Sequence, residues 1–178
     1  MKSLLARLSG LSRVGLLVTL AWVTCDAYGQ SNSPMDKLKA MAAQDTPPDV
    51  AEAALLGAQL VRPALDPDAY LATVDSLANT LRDRLQGVTA AVEAVGIISD
   101  YLYNTAGYAN SNVLSADVFV GLDQVIDGQQ WNCVGMALLY TSLGKRMGIP
   151  LQVVAGHGHV LVAYSGEGTF YVETTLGG

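Results

Sequence analysis

Apolar residues recur at three- and four-residue steps through much of the first two thirds of the chain. The clearest run is Leu71, Val74, Leu77, Leu81 and Leu85, with Asp75, Arg82 and Asp83 off the stripe. That period predicts a helix with one face toward a core, capped by Asp66 and with Pro67 in its first turn. An earlier helix is predicted to begin near Pro48-Asp49, to carry Val50, Ala54, Leu55 and Leu60-Val61 as its apolar positions, and to stop at Pro63. A third is predicted from Val88 to Asn104 with Val92, Val95, Ile98 and Leu102 inward, weakened by Gly96 and ended by Gly107. Tyr101, Tyr103 and Tyr108 either pack at its end or line a groove. Asn110 to Val113 reads as a turn or loop, and Ser115 as the N-cap of a short helix holding Val118, Leu122, Val125 and Ile126.

Beyond Trp131 the pattern changes. The segment opened by Cys133 has Met136, Ala137, Leu139, Tyr140, Leu143 and Met147 nearly all round, which predicts a central buried helix. Lys145-Arg146 suit the negative end of its dipole, and Gly148 followed by Pro150 ends it. Leu151–Ala155, His159–Tyr164 and Thr169–Thr175 are short and β-rich, with Ser165-Gly166-Glu167-Gly168 as a hairpin turn between the last two. Helices followed by a helix packed on an antiparallel sheet predict an α+β fold.

The first residues describe export rather than fold. Lys2, Arg7 and Arg13 precede the apolar run Val14–Val23 and the small-residue site Ala27-Tyr28-Gly29, the arrangement of a signal peptide over residues 1–29. The run is shorter than the roughly 20 residues of a membrane span, so no stable span is expected after cleavage. A periplasmic or extracellular protein is expected, with lipid attachment through Cys25 as the alternative. Residues 30–47, polar and proline-containing, read as a linker or arm with a short helix from Asp36 to Ala43. Removing residues 1–29 leaves 7 basic and 15 acidic residues and a net charge of −8, which argues against a nucleic-acid partner. The remaining 149 residues suit one domain of ordinary size.

Loss of Cys25 with the signal would leave Cys133 as the one cysteine, unable to form an intramolecular disulfide. At a helix N-terminus, orphan N–H groups and the dipole favour a thiolate and can stabilise an oxyanion. A buried, inert thiol is the competing reading. Of the two histidines, His157 falls in a glycine-flanked bend and His159 begins a regular strand, which makes His159 the better candidate base. Glu173 stands 14 residues beyond His159 across a four-residue turn, so the two are expected to be near each other on adjacent strands. A carboxylate there would fix the imidazole tautomer; an ordinary solvent-facing strand residue is the alternative. The paired histidines also suggest zinc, but supporting ligands are sparse, and no metal or other cofactor is expected. Gln129 or Gln130 could supply an oxyanion donor, or simply be solvated.

Several stretches together resemble the transglutaminase-like core: Trp131-Asn132-Cys133-Val134-Gly135, Leu143-Gly144-Lys145-Arg146-Met147-Gly148-Ile149-Pro150, Gly158-His159-Val160-Leu161-Val162 and Val172-Glu173-Thr174-Thr175. More narrowly they are similar to a bacterial branch with a helical region before the core, which the run from Val50 to Tyr108 resembles. The resemblance implies a papain-like fold with Cys133 as nucleophile, His159 as base and Glu173 where aspartate is usual, Glu-Thr-Thr being a form that branch uses. It divides the mature chain into a helical region over 48–114 and a catalytic core over 115–178. Two features depart from the family: Trp131-Asn132 stands where a glycine is common, and the family core continues with further strands past the point where this chain stops, so an incomplete core is expected. The resulting expectation is an exported cysteine acyltransferase or hydrolase acting on protein or peptide amides through a thioester. A binding or scaffold module with the same fold and no turnover is the alternative, since some relatives lack the cysteine.

Overall fold

The computed structural model describes residues 33–108, 112–113, 120–128 and 130–175. From Pro34 onward they form one compact unit. The predicted signal peptide, Cys25, Ser115 and Val118 lie outside the described residues.

Helix α1 covers Pro34–Ala42 and buries no residue. Helix α2 covers Val50–Val61; Asp49 caps it, its carboxylate accepting from the N–H groups of Ala51 and Glu52, so the helix starts just after Pro48-Asp49. Its core face is Ala51, Leu55, Leu56 and Ala58, whereas Leu60 and Val61 are exposed because they fall on the far side of the last turn. Helix α3, Pro67–Arg84, begins as predicted with Asp66 accepting from Asp68 N–H and Pro67 in the first turn. Val74, Ala78 and Leu81 are buried along it.

Helix α4 spans only Ala91–Asp100, and the chain then widens into a π-helical turn over Tyr101–Thr105. Val92 is exposed rather than inward, since it lies in the first turn at the rim of a cleft of about 440 Å³ between α4 and the sheet. Tyr103 and Tyr108 are buried, and Tyr101 carries the Arg84 guanidinium over its ring at 4.7 Å. The stretch read as a loop contains strand β1, Asn112–Val113, which pairs in parallel with β2, Gln130–Trp131. That pairing joins segments far apart in sequence, which no local pattern signals. Between them helix α5, Leu122–Ile126, buries Leu122 and Val125.

Helix α6, Cys133–Met147, buries ten of its fifteen residues, with Val134 and Leu138 half-buried and Lys145 exposed, so it is the central helix that its apolar distribution predicted. It packs on α2, α3 and α5 and on strands β3 (Leu151–Ala155) and β4 (Val160–Tyr164). Strand β5, Phe170–Val172, completes an antiparallel sheet ordered β3-β4-β5, so the architecture is α+β. Two glycines allow the helix to meet the sheet. Gly148 takes the left-handed conformation at φ +74° and Ile149 N–H reaches back to Gly144 O at 2.9 Å, closing the helix end. A Cβ on Gly144 would lie 2.9 Å from both Ile149 O and Leu151 Cβ.

The same end of α6 is bound to the N-terminal helices. Lys145 Nζ donates to Pro48 O at 3.0 Å, while Arg146 pairs with Asp75 of α3 and, at 3.5 Å, with Asp49. Because Ile149 O and Leu151 Cβ are held by backbone, Gly144→Ala is expected to destabilise the protein by about 1–3 kcal/mol. Gly57→Ala, whose Cβ would meet nothing within 4 Å inside α2, should instead stabilise by about 0.5–1 kcal/mol. Urea unfolding of both variants checks the contrast; equal shifts would contradict the account of Gly144.

Candidate functional site

Strand β2 delivers the chain to Asn132, which caps α6: its Oδ1 accepts from the N–H groups of Val134 and Gly135, both at 3.1 Å. Cys133 is therefore the first residue of the helix, with only 3% of its surface exposed. The cap has a chemical consequence. It occupies two of the first-turn amides expected to face an oxyanion, and Met136 N–H bonds Asn132 O, so of the first four amides of α6 the one outside this cap is that of Cys133 itself. Gly135 is required by packing, because a Cβ there would lie 2.5 Å from Val125 Cγ2 of α5. Helix α5 is in turn held by the Arg62–Asp123 ion pair at 2.7 Å, with Asp123 buried, and by Tyr70 donating to Asp127 at 3.0 Å. Gln129 lies outside the described residues, and Gln130 belongs to β2.

The second half of the site is built by the sheet. Val162 opposes Val172, so Leu161 lies across from the position of Glu173, and His159, two residues before Leu161, falls diagonally on the same face. The side chains meet: His159 Nε2 and Glu173 Oε2 are 2.6 Å apart. The other carboxylate oxygen, Oε1, accepts from Thr175 N–H at 2.9 Å and from Thr175 Oγ1 at 2.6 Å. Partial burial works to raise the Glu173 pKa, but the side-chain and backbone hydrogen bonds from Thr175 and the bond and charge of His159 outweigh it, and the net shift is downward. Glu173 is thus a carboxylate at neutral pH and can only accept, which makes His159 Nε2 the donor and assigns the lone pair of the neutral ring to Nδ1. His157, two residues earlier, is exposed in the bend.

The structure therefore joins His159 to Glu173, and buries Cys133 at the head of α6. Among the described residues no hydrogen bond links Cys133 Sγ to the pair. Thr175 was the member that the sequence reading missed; the signal available was the Glu-Thr-Thr string, in which a hydroxyl two residues after a carboxylate can close a local turn. Among the described residues no cluster of three or more His, Cys, Asp or Glu side chains could hold a metal ion, and no helix is long and apolar enough to cross a membrane.

The family model described as the transglutaminase-like superfamily matches residues 68–178, which include α3 from its second residue, the cysteine helix and the His–Glu pair. Two curated relatives, each described as a UPF0162 protein, from Xylella fastidiosa strains Temecula1 and 9a5c, are 29% identical over 110 residues, covering 61% of this chain and 39% of theirs. The chain thus spans about two fifths of the length of these relatives. No solved structure matches it. With well over half of its residues matched, and with a buried cysteine helix set on an antiparallel sheet, the chain belongs to the transglutaminase-like superfamily.

Proposed function

We propose that the protein is an exported cysteine enzyme that acts on protein or peptide amides, with Cys133 as nucleophile, His159 as acid–base and Glu173 as the group that orients His159. The observation that carries this reading is the 2.6 Å bond from His159 Nε2 to a Glu173 carboxylate that Thr175 fixes from the other side. A strand-face carboxylate with no such task would be solvated, whereas this one is aligned on an imidazole.

Element lengths support bringing the thiol to the same end of the molecule. Gly144 abuts Leu151, and from that contact α6 runs back through 11 residues to Cys133 while β3 runs outward to Gly156, whose N–H bonds His159 O. At 1.5 Å per helical residue and about 3.3 Å per strand residue, both paths cover roughly 16 Å. With Nε2 engaged by Glu173, Nδ1 is the nitrogen available to the thiol.

The chemistry follows. Nδ1 takes the Cys133 proton as the thiolate attacks the amide carbonyl, forming the C–S bond and a tetrahedral oxyanion that the Cys133 N–H can stabilise. Collapse breaks the C–N bond, and the imidazolium returns its proton to the leaving ammonia or amine. Water or a second amine, deprotonated by His159, then attacks the thioester and releases Cys133. The alternative, a binding or scaffold module without turnover, is favoured by one observation: the 3% exposure of Cys133, which suits an inert packed thiol.

A thiol-reactive amide probe separates the two: the enzyme reading expects one label at Cys133 that is lost in His159→Ala, and labelling indifferent to His159 favours the scaffold. Cys133→Ala should abolish turnover of peptide amides and leave the melting temperature within a few degrees of wild type, as measured by thermal unfolding. For Glu173→Gln, kcat/KM should fall by about 10–10³-fold, less than the ~10⁴ of a comparable substitution in a serine protease, because the helix dipole also supports the thiolate. Acid stability provides a check independent of turnover. A carboxylate with a lowered folded-state pKa contributes stability above its ordinary value of 4.5, lost as pH falls through the folded pKa. The melting-temperature gap between wild type and Glu173→Gln should accordingly be full at neutral pH and close as pH falls below 4.5; a constant gap would count against the ionised pair.

A further inference from the structure

The ladder that positions Glu173 ends one residue too early to hold it, since Val162–Val172 is the last pair of β4 and β5 at that end. The polypeptide then turns through Thr174, which is fully buried. A buried carbonyl beyond a sheet needs a donor from elsewhere. Thr174 O receives it from the Tyr103 hydroxyl, 71 residues away in sequence.

We propose that Tyr103 is a positioning residue: by donating to Thr174 O it fixes the Glu173-Thr174-Thr175 turn, and through it the alignment of the Glu173 carboxylate on His159 Nε2. The catalytic consequence rests on the triad reading above; the positioning itself does not.

Three further observations carry the assignment. Tyr103 sits in the π-helical turn, where Ala106 N–H reaches back five residues to Tyr101 O at 2.8 Å, a widened geometry that recurs at functional sites. The turn buries Leu102 and Tyr103 together, so it is packed rather than frayed. The Tyr103 hydroxyl also interacts with that of Tyr140, which donates to Ser99 Oγ at 2.9 Å, and Ser99 Oγ donates to Val95 O at 3.0 Å. Tyr140 lies seven residues after Cys133, two turns along and on the same side of α6. With the Tyr140 proton on Ser99 and the Tyr103 proton on Thr174 O, the two phenols are buried neighbours between α4, the helix that bears the thiol, and the turn that bears the carboxylate. The direction at Thr174 is fixed, because a carbonyl can only accept. Burial, with the nearby Tyr140 and Glu173 adding to it, pushes the Tyr103 phenol above its ordinary range, so it keeps its proton and remains a donor.

Tyr103→Phe keeps the ring and removes the donor. Two readouts are taken on the full chain: the ¹⁵N and ¹H resonances of His159 Nε2–H, and steady-state kinetics on a peptide amide. The expected result is loss or displacement of the Nε2–H resonance, a fall in kcat of about 5–50-fold, below the ~100-fold of a 1 Å misplacement, with KM within about twofold. In a Glu173→Gln background the same substitution should add less than about twofold, because its effect passes through Glu173. A wild-type Nε2–H resonance in Tyr103→Phe, or a rate loss that multiplies in full with that of Glu173→Gln, overturns the proposal and leaves Tyr103 a packing residue. If wild type turns over no amide, the triad reading fails while the resonance still decides the positioning. Should Tyr103→Phe not fold, 3,5-difluorotyrosine at position 103 keeps the hydroxyl as a stronger donor; a shifted Nε2–H resonance is then expected, and an unmoved one overturns the proposal.

Discussion

A helix that buries two thirds of its residues has to be covered from most directions, and the burial of α6 sets the architecture of this protein. Ten of its residues are buried, among them the polar Thr141 and Ser142, whose hydroxyls bond back to Ala137 O and Leu138 O within the helix itself. The N-terminal helices supply one side of the cover and β3-β4 the other, so α2 and α3 form part of the core around the cysteine helix. The joint at Gly144 and Gly148 then sets where the sheet starts, and with it the level at which His159 emerges. Cys133, at the opposite end, inherits its position from the Asn132 cap and from Gly135 against Val125.

The carboxylate side is held differently. A glutamate has one more rotatable bond than an aspartate, and additional contacts are needed to immobilise it. Thr175 contributes two hydrogen bonds to one oxygen, and the imidazole takes the other. These bonds also account for the lowered pKa against the opposing pull of burial, so the contacts that position the group keep it ionised.

Much of this was legible from residue pattern. The stripe from Leu71 to Leu85, the Asp66-Pro67 start and the Gly148-Ile149-Pro150 stop are local signals and appear as read. The meeting of His159 with Glu173 followed from strand period and a four-residue turn, both local as well. The features not foreseen depend on long-range partners. The β1-β2 pair joins Asn112 to Gln130 across 18 residues, and Leu60, Val61 and Val92 are apolar by composition but fall where no neighbour covers them. The role of Tyr103 could not be read because its partner, Thr174 O, is a backbone atom, which leaves no mark on residue identity. The sequence assigned Asn132 no role of its own, and its use as a cap became clear only from the bonds to Val134 and Gly135.

The central claim is that Cys133 carries an acyl group during turnover. Rapid acid quenching of the protein with a glutamine-containing peptide, followed by intact-mass measurement and peptide mapping, tests it directly. The account predicts a mass increase equal to the peptide less ammonia, located on Cys133 and discharged by hydroxylamine. Release of ammonia with no adduct on Cys133, or an adduct borne by another residue, would contradict it.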